Sequence, residues 1–198
     1  EPFCKHNYLV KNINKLAEII REAFYIASTG RPGPVLIDIP IDIQTKTVEY
    51  IQPGKPEIRG YKPTYKGHSL QVKRIIESIH QAKRPLICAG GGVITSGAST
   101  ELIKIAETLN IPVVTTLMGI GAIPANHPLC LGMLGSHGVY AANQAVTKSD
   151  LLIIMGARAG DRATGNTDKF AKHARIVHID IDPAEIGKNL GTDIPIVG

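Results

Sequence analysis

Arg84-Pro85-Leu86-Ile87-Cys88-Ala89-Gly90-Gly91-Gly92-Val93 sets an apolar run directly against three glycines. Apolar residues without polar alternation fit a strand covered on both faces, as in a parallel sheet. The glycines permit turns with positive φ, and they let backbone N–H groups approach a phosphate with no Cβ in the way. The ligand crevice of an open α/β sheet lies at this end of its strands. Two expectations follow: a parallel sheet, and a nucleotide site at its strand exits. The dinucleotide fingerprint is broken, however. Thr95 stands where its third glycine belongs, and residue 110, where an acid belongs, is Asn. A tight strand-to-helix turn with no ligand accounts for the glycines equally well.

Outward from this stretch the chain alternates strands with helices. Upstream, Val72, Ile75, Ile76, Ile79 and Ala82 mark a helix from Ser69. Downstream come a helix with Leu102, Ile105, Ala106 and Leu109, a strand at 112–116, and an apolar stretch at 129–134. A helix carrying Tyr140, Ala141, Ala145 and Val146 follows, then strands at 151–155 and 176–179. Pro183-Ala184-Glu185-Ile186-Gly187 reads as one helical turn, and Pro195-Ile196-Val197 as the start of a last strand. The pattern predicts an α/β fold with a doubly wound parallel sheet.

Residues 1–42 read differently. An extended lead-in precedes a helix whose buried stripe is Leu16, Ile19, Ile20, Ala23, Phe24 and Ala27. Gly30 stops that helix, and Val35-Leu36-Ile37-Asp38-Ile39 is a buried strand closed by Pro40. This helix and strand have no sheet of their own and read as the end of another α/β domain. Residues 43–68, broken by proline and glycine, form an interdomain linker. Its tyrosines and isoleucines predict that it lies against what it joins. Residues 69–198 are the central domain. The first residue is Glu1 and the last ones are strand-like, so the chain reads as a piece of something longer.

Composition excludes several classes. The net charge of +5 is concentrated in residues 51–84, where eight Lys/Arg face two Glu; no nucleic-acid motif accompanies them, so a solvated linker and helix face is the reading. No apolar run is long enough to span a membrane. The three cysteines show no metal spacing and predict a reducing, cytoplasmic setting. No metal-binding or Ser/His/Asp constellation can be assembled, so catalytic residues are not expected within the chain.

In a parallel sheet the strand exits share one edge. Gly90-Gly91-Gly92, Thr116-Leu117, Leu134-Gly135-Ser136-His137, Gly156 to Arg162 and Asp180-Ile181 are such exits. Together they suit an extended ligand, its diphosphate near glycines and the bidentate guanidiniums of Arg158 and Arg162, its ribose near Asp180. A surface ion-pair cluster accounts for Arg158, Asp161 and Arg162 as well. His178, inside a strand, reads as a satisfied core side chain, while His137 fits either a site or a structural role.

These residues resemble a family. Gly30-Arg31-Pro32-Gly33-Pro34-Val35-Leu36-Ile37-Asp38-Ile39-Pro40 is similar to the segment closing the pyrimidine-binding domain of thiamine-diphosphate-dependent enzymes. Lys5-His6-Asn7-Tyr8-Leu9-Val10, Thr116-Leu117-Met118-Gly119, Met133-Leu134-Gly135-Ser136-His137-Gly138, Asp161-Arg162-Ala163-Thr164-Gly165 and His178-Ile179-Asp180-Ile181-Asp182-Pro183 resemble the acetolactate (acetohydroxyacid) synthase large subunit, in order and along the whole chain.

The resemblance implies a three-domain enzyme that decarboxylates pyruvate and joins the two-carbon unit to a second 2-oxo acid, opening branched-chain amino-acid biosynthesis. Thiamine diphosphate and Mg²⁺ would sit in the outer domains, and FAD, which does not turn over, in the central one. Carried over by position, the FAD contacts are Arg31, Gly91, Thr116, Leu117, Leu134, Gly135, Ser136, His137, Gly156, Ala157, Arg158, Ala159, Gly160, Asp180 and Ile181. Asp161 and Arg162 would line the substrate channel. The family's catalytic glutamate and Mg²⁺-diphosphate motif match nothing in this chain, so the chain alone is expected to be inactive. A homodimer or homotetramer and a small regulatory subunit are the implied partners. Ile41, Ser136 and Gly160 depart from common family residues. Another thiamine-diphosphate carboligase or decarboxylase, or a free-standing nucleotide-binding module, are the alternatives.

Overall fold

The computed structural model describes residues 3–198, which divide into two compact units between Thr64 and Tyr65. The first unit contains β1 (His6–Leu9), α1 (Leu16–Ser28), β2 (Val35–Asp38) and α2 (Ile41–Gln44). β1 and β2 pair in parallel, His6 opposite Val35 and Leu9 opposite Asp38. The predicted lead-in is thus a strand, and the unit has a small sheet after all. No local pattern in His6-Asn7-Tyr8-Leu9 announces a strand; the pairing with β2, across α1, makes it one. β2 is only half covered, with Leu36 53% exposed, so the expectation of a buried strand fails within this unit. In α1 the buried residues are Ala23 and Ile26, and Phe24, placed in the stripe by its spacing, faces outward.

Gly30 ends α1 with φ +58°, a conformation a side chain resists. The carbonyls left over at that helix end are met from a distance. Lys5 Nζ donates to Ile26 O at 2.6 Å and also to Thr29 O, and it lies 2.7 Å from the Tyr61 hydroxyl. Tyr61 in turn donates to Thr29 O and packs edge-on against Tyr25. The proline-rich stretch is therefore fastened to this unit through Tyr61.

The second unit starts with α3 (Ser69–Gln81), β3 (Pro85–Ala89), α4 (Gly91–Thr95), α5 (Ser99–Leu109) and β4 (Val113–Thr115). It continues with β5 (Cys130–Met133), α6 (Tyr140–Lys148), β6 (Leu151–Met155), α7 (Asp161–Thr164), β7 (Arg175–Asp180) and β8 (Ile194–Val197). The six strands are all parallel, in the order β5-β4-β3-β6-β7-β8. Successive strands are added to one side of β3 as far as β5 and to its other side from β6 onward, which makes the junction of β3 and β6 the topological switch point. The expected helical turn at 183–187 is a run of turns instead, shaped by the Asp182 carboxylate accepting from the Ala184 N–H.

Side chains alternate between two cores. Ile87, Ala89, Val113, Leu151, Ile153 and Val177 pack in one layer with Ile75, Leu102 and Ala106 from the helices. Leu86, Cys88, Val114, Leu152, Ile154 and Ile176 pack in the other with Ala142 and Val146 of α6. An unbroken apolar sequence is thus two interleaved faces. One interruption occurs: Val113 pairs with Cys130 but Val114 with Gly132, so Leu131 is an extra residue, a bulge in β5.

Candidate functional site

The parallel sheet delivers five strand exits to one edge, and their backbones are tied together. Gly90 N–H donates to Met155 O at 2.9 Å and Gly92 N–H to Gly156 O at 2.9 Å, linking the exits of β3 and β6. Gly156 N–H donates to Ile179 O at 2.8 Å, and Thr116 N–H to Ala89 O at 3.0 Å. Ser136 N–H donates to Arg162 O at 3.0 Å, joining the exit of β5 to α7.

The three glycines have a reason inside the protein. A Cβ on Gly90 would lie 2.3 Å from Gly156 O and 2.4 Å from Ala157 Cβ, and one on Gly92 would lie 2.6 Å from Gly156 Cα. Both absences let two backbones meet at the switch point. A Cβ on Gly91 would meet Met118 at 3.0 Å. A substitution there presses on the β4 exit before it presses on any ligand.

The loop after β6 has the opposite character. Ala157 and Ala159 are buried, and Arg158 between them is exposed. An added Cβ on Gly160 would have open space around it. Asp161 and Arg162 are exposed, with carboxylate and guanidinium 4.0 Å apart, a pair worth about 0–1 kcal/mol in water. This is weak enough for either partner to turn to a ligand. Asp180, 8% exposed at the end of β7, accepts from the Asp182 N–H at 2.9 Å.

The remaining predicted residues take varied positions. Leu134 is buried, Thr116, Gly135 and Ile181 are half-buried, and Leu117, Ser136 and His137 are exposed. All lie on the exit edge of the second unit. Arg31 belongs to the first unit. His178 is buried with Nε2 3.0 Å from Ala157 O; because a carbonyl only accepts, that nitrogen carries the hydrogen.

Two residues escaped the sequence reading. Asn143 of α6 accepts from the Gly135 N–H at 2.9 Å and donates to Gly135 O at 3.1 Å, so one amide group fixes both ends of that residue. Asn189 donates to Ala159 O at 3.0 Å. No spacing signals either contact: Asn189 and Ala159 are 30 residues apart, and Asn143 reaches back from α6 across the turn that follows β5.

Away from this edge, Asp150 at the start of β6 accepts from the Lys83 and Arg84 N–H groups, both at 2.8 Å. Burial works against its charge, but these backbone bonds and the Arg84 charge prevail and hold the carboxyl below its ordinary value. Burial pushes the Cys88 thiol up to about 12. Among the described residues, no group of three His, Cys, Asp or Glu side chains is placed to hold a metal ion, and no helix is long and apolar enough to cross a membrane.

Against known proteins, the family described as "Thiamine pyrophosphate enzyme, central domain" matches residues 72–198. A "Probable acetolactate synthase large subunit" of Methanocaldococcus jannaschii is 54% identical over 200 residues, covering 100% of this chain and 34% of the relative. An "Acetolactate synthase large subunit" of Buchnera aphidicola subsp. Schizaphis graminum is 49% identical over 199 residues, covering 100% of this chain and 35% of the relative. The Corynebacterium glutamicum protein of that name is 48% identical over 197 residues, 100% of this chain and 32% of the relative. The chain spans about a third of the length of these curated relatives.

Proposed function

Because the chain belongs to the thiamine pyrophosphate enzymes, as their central domain, we propose that it is the flavin-holding middle part of an acetolactate synthase large subunit. The observation that carries this reading is the loop from Gly156 to Arg162. It sets two exposed guanidiniums beside open space at Gly160, on the ligand edge of a parallel sheet. The similarity to acetolactate synthase large subunits along the entire chain supports the choice within the family.

The donor set fits FAD. Arg158 and Arg162 offer planar, bidentate charge for the diphosphate. The Asp180 carboxylate suits ribose hydroxyls. Thr116, Leu117, Leu134, Gly135, Ser136 and His137, in the loops after β4 and β5, supply apolar contact and small polar groups along the same edge. Gly91, Gly156, Ala157, Ala159, Gly160 and Ile181 contribute backbone; Arg31, a flavin contact by resemblance alone, belongs to the first unit. Asp161 and Arg162 would face the substrate channel. FAD would serve structurally here, with no turnover in the main reaction. Thiamine diphosphate and Mg²⁺, held by other domains of the full-length protein, would supply the decarboxylation of pyruvate and the transfer of its two-carbon unit to a second 2-oxo acid. This chain's residues would bind and orient the flavin along the strand exits. A homodimer or homotetramer, a small regulatory subunit and a cytoplasmic setting complete the proposal.

The test uses the full-length protein that carries this chain. It is expected to purify yellow, to form acetolactate from pyruvate, and to lose flavin affinity about tenfold or more in Arg158→Ala. The chain alone, with all cofactors added, is expected to form none. A flavin-free protein that forms acetolactate would remove FAD from the proposal. Thiamine-dependent turnover of pyruvate without acetolactate would move the chain to a different carboligase or decarboxylase.

A further inference from the structure

Arg158 is held from both sides. Ala157 O, in the peptide before it, takes a hydrogen bond from His178 Nε2 of β7 at 3.0 Å. Ala159 O, in the peptide after the next residue, takes one from Asn189 Nδ2 at 3.0 Å. The methyl groups of Ala157 and Ala159 are buried in the same core as Leu134, Val146 and Leu190. Further back, Gly156 N–H is bound to Ile179 O, and further on the Gly160 carbonyl accepts from the Ala163 and Thr164 N–H groups. The residues flanking Arg158 are therefore fixed by side chains from segments 21 and 30 residues away in sequence. Among residues 157–159, Arg158 alone is exposed.

An irregular loop does not need such fastening to present a surface arginine. A ligand-binding arginine does, because ordering a mobile backbone on binding costs affinity, and fixing it beforehand removes that cost. We infer that His178 and Asn189 are positioning residues: they fix the Ala157 and Ala159 carbonyls so that the Arg158 guanidinium is already aimed at an anionic diphosphate. This rests on the flavin reading above. Neither residue is required to touch the ligand. The His178 ring is required in the form that bears hydrogen on Nε2, and Asn189 is required as a donor rather than as a filler of space.

The two readings are separated by a double-mutant cycle on the full-length protein, read as FAD affinity of the flavin-stripped form together with the thermal midpoint of that form. Asn189→Ala is expected to weaken FAD about fivefold while the flavin-free midpoint moves by no more than a few degrees. Asn189→Asp, of equal size but unable to donate, is expected to behave like Asn189→Ala. In an Arg158→Ala background, Asn189→Ala is expected to cost less than about twofold. His178→Gln keeps an N–H in reach of Ala157 O and is expected to retain FAD within about twofold, whereas His178→Leu loses it. Undiminished FAD affinity in Asn189→Ala, a full fivefold cost persisting without Arg158, or equal behaviour of His178→Gln and His178→Leu each overturns the inference. Should Arg158→Ala weaken FAD while Asn189→Ala does not, the flavin reading stands and the positioning role falls. A full-length protein that binds no FAD removes both.

Discussion

β2 and β6 are short apolar parallel strands of similar composition, and they meet opposite surroundings. Leu36 in β2 is 53% exposed, whereas Leu152 and Ile153 in β6 are 0% and 1% exposed. β6 lies between β3 and β7, with a helix or loop layer on each side. β2 pairs with β1 alone in its two-stranded sheet. An apolar run states what a strand is able to bury; the number of neighbouring strands and layers decides what it does bury.

The largest effect that can break this comparison is a cavity. Ile153→Ala is expected to destabilise the second unit by about 2–5 kcal/mol, and Leu36→Ala to change the first by less than about 1 kcal/mol. Urea titrations of each variant would show it, and equal losses would mean that β2 is as firmly buried as β6. Next in size is a contrast between two glycines in the same unit. Gly90→Ala forces a Cβ to within 2.3 Å of Gly156 O and is expected to cost about 1–3 kcal/mol. Gly160→Ala enters open space at φ −80° and is expected to be neutral or to stabilise by about 0.5 kcal/mol. Thermal unfolding of the two variants decides whether the β3 exit is as tightly closed as its geometry implies.

A smaller effect concerns pH. The folded value of Asp150 lies below its ordinary 3.8, so its contribution is full above that value and is lost as pH falls through the folded one. Asp150→Asn is expected to lower stability at neutral pH and to flatten the acid side of the stability profile. A profile unchanged from the parent would show that the Lys83 and Arg84 contacts carry no net stabilisation. Smallest in energy is thiol chemistry. Cys88, 4% exposed with its thiol pushed to about 12, is expected to resist alkylation in the folded protein, while half-buried Cys4 and Cys130 react. Fast labelling of Cys88 would reveal that the central sheet opens.

The sheet was legible because its strands are covered on both faces. Leu86-Ile87-Cys88-Ala89 needs no polar alternation when Leu86 and Cys88 enter one core and Ile87 and Ala89 the other. β1 was not legible, since His6-Asn7-Tyr8-Leu9 becomes a strand only through the distant Val35–Asp38. The exit-loop residues of the candidate site could be grouped from sequence because parallel strands send their exits to one edge. The contacts that shape those exits could not. Asn189 on Ala159 and His178 on Ala157 join segments that become neighbours only once the strand order is known, and Asn143 on Gly135 depends on how the chain turns from β5 into α6. The glycine run left a ligand site and a tight turn equally open in the sequence, and the contact that explains Gly90 is with the backbone of the β6 exit, 66 positions along at Gly156.

Leu131 gives β5 a change of phase. Cys130 packs on the layer of Val113, and Leu131 on that of Val114. By strict alternation Leu134 would rejoin Cys130, yet it packs with Leu131. The extra residue has reversed the parity of everything behind it. Deleting Leu131 would leave Gly132 and Met133 opposite Val114 and Thr115 as they are now, and Leu134, then three positions after Cys130, would reach its present layer by plain alternation. The bulge thus lets β5 carry one residue more than its neighbour while the loop behind it keeps its place.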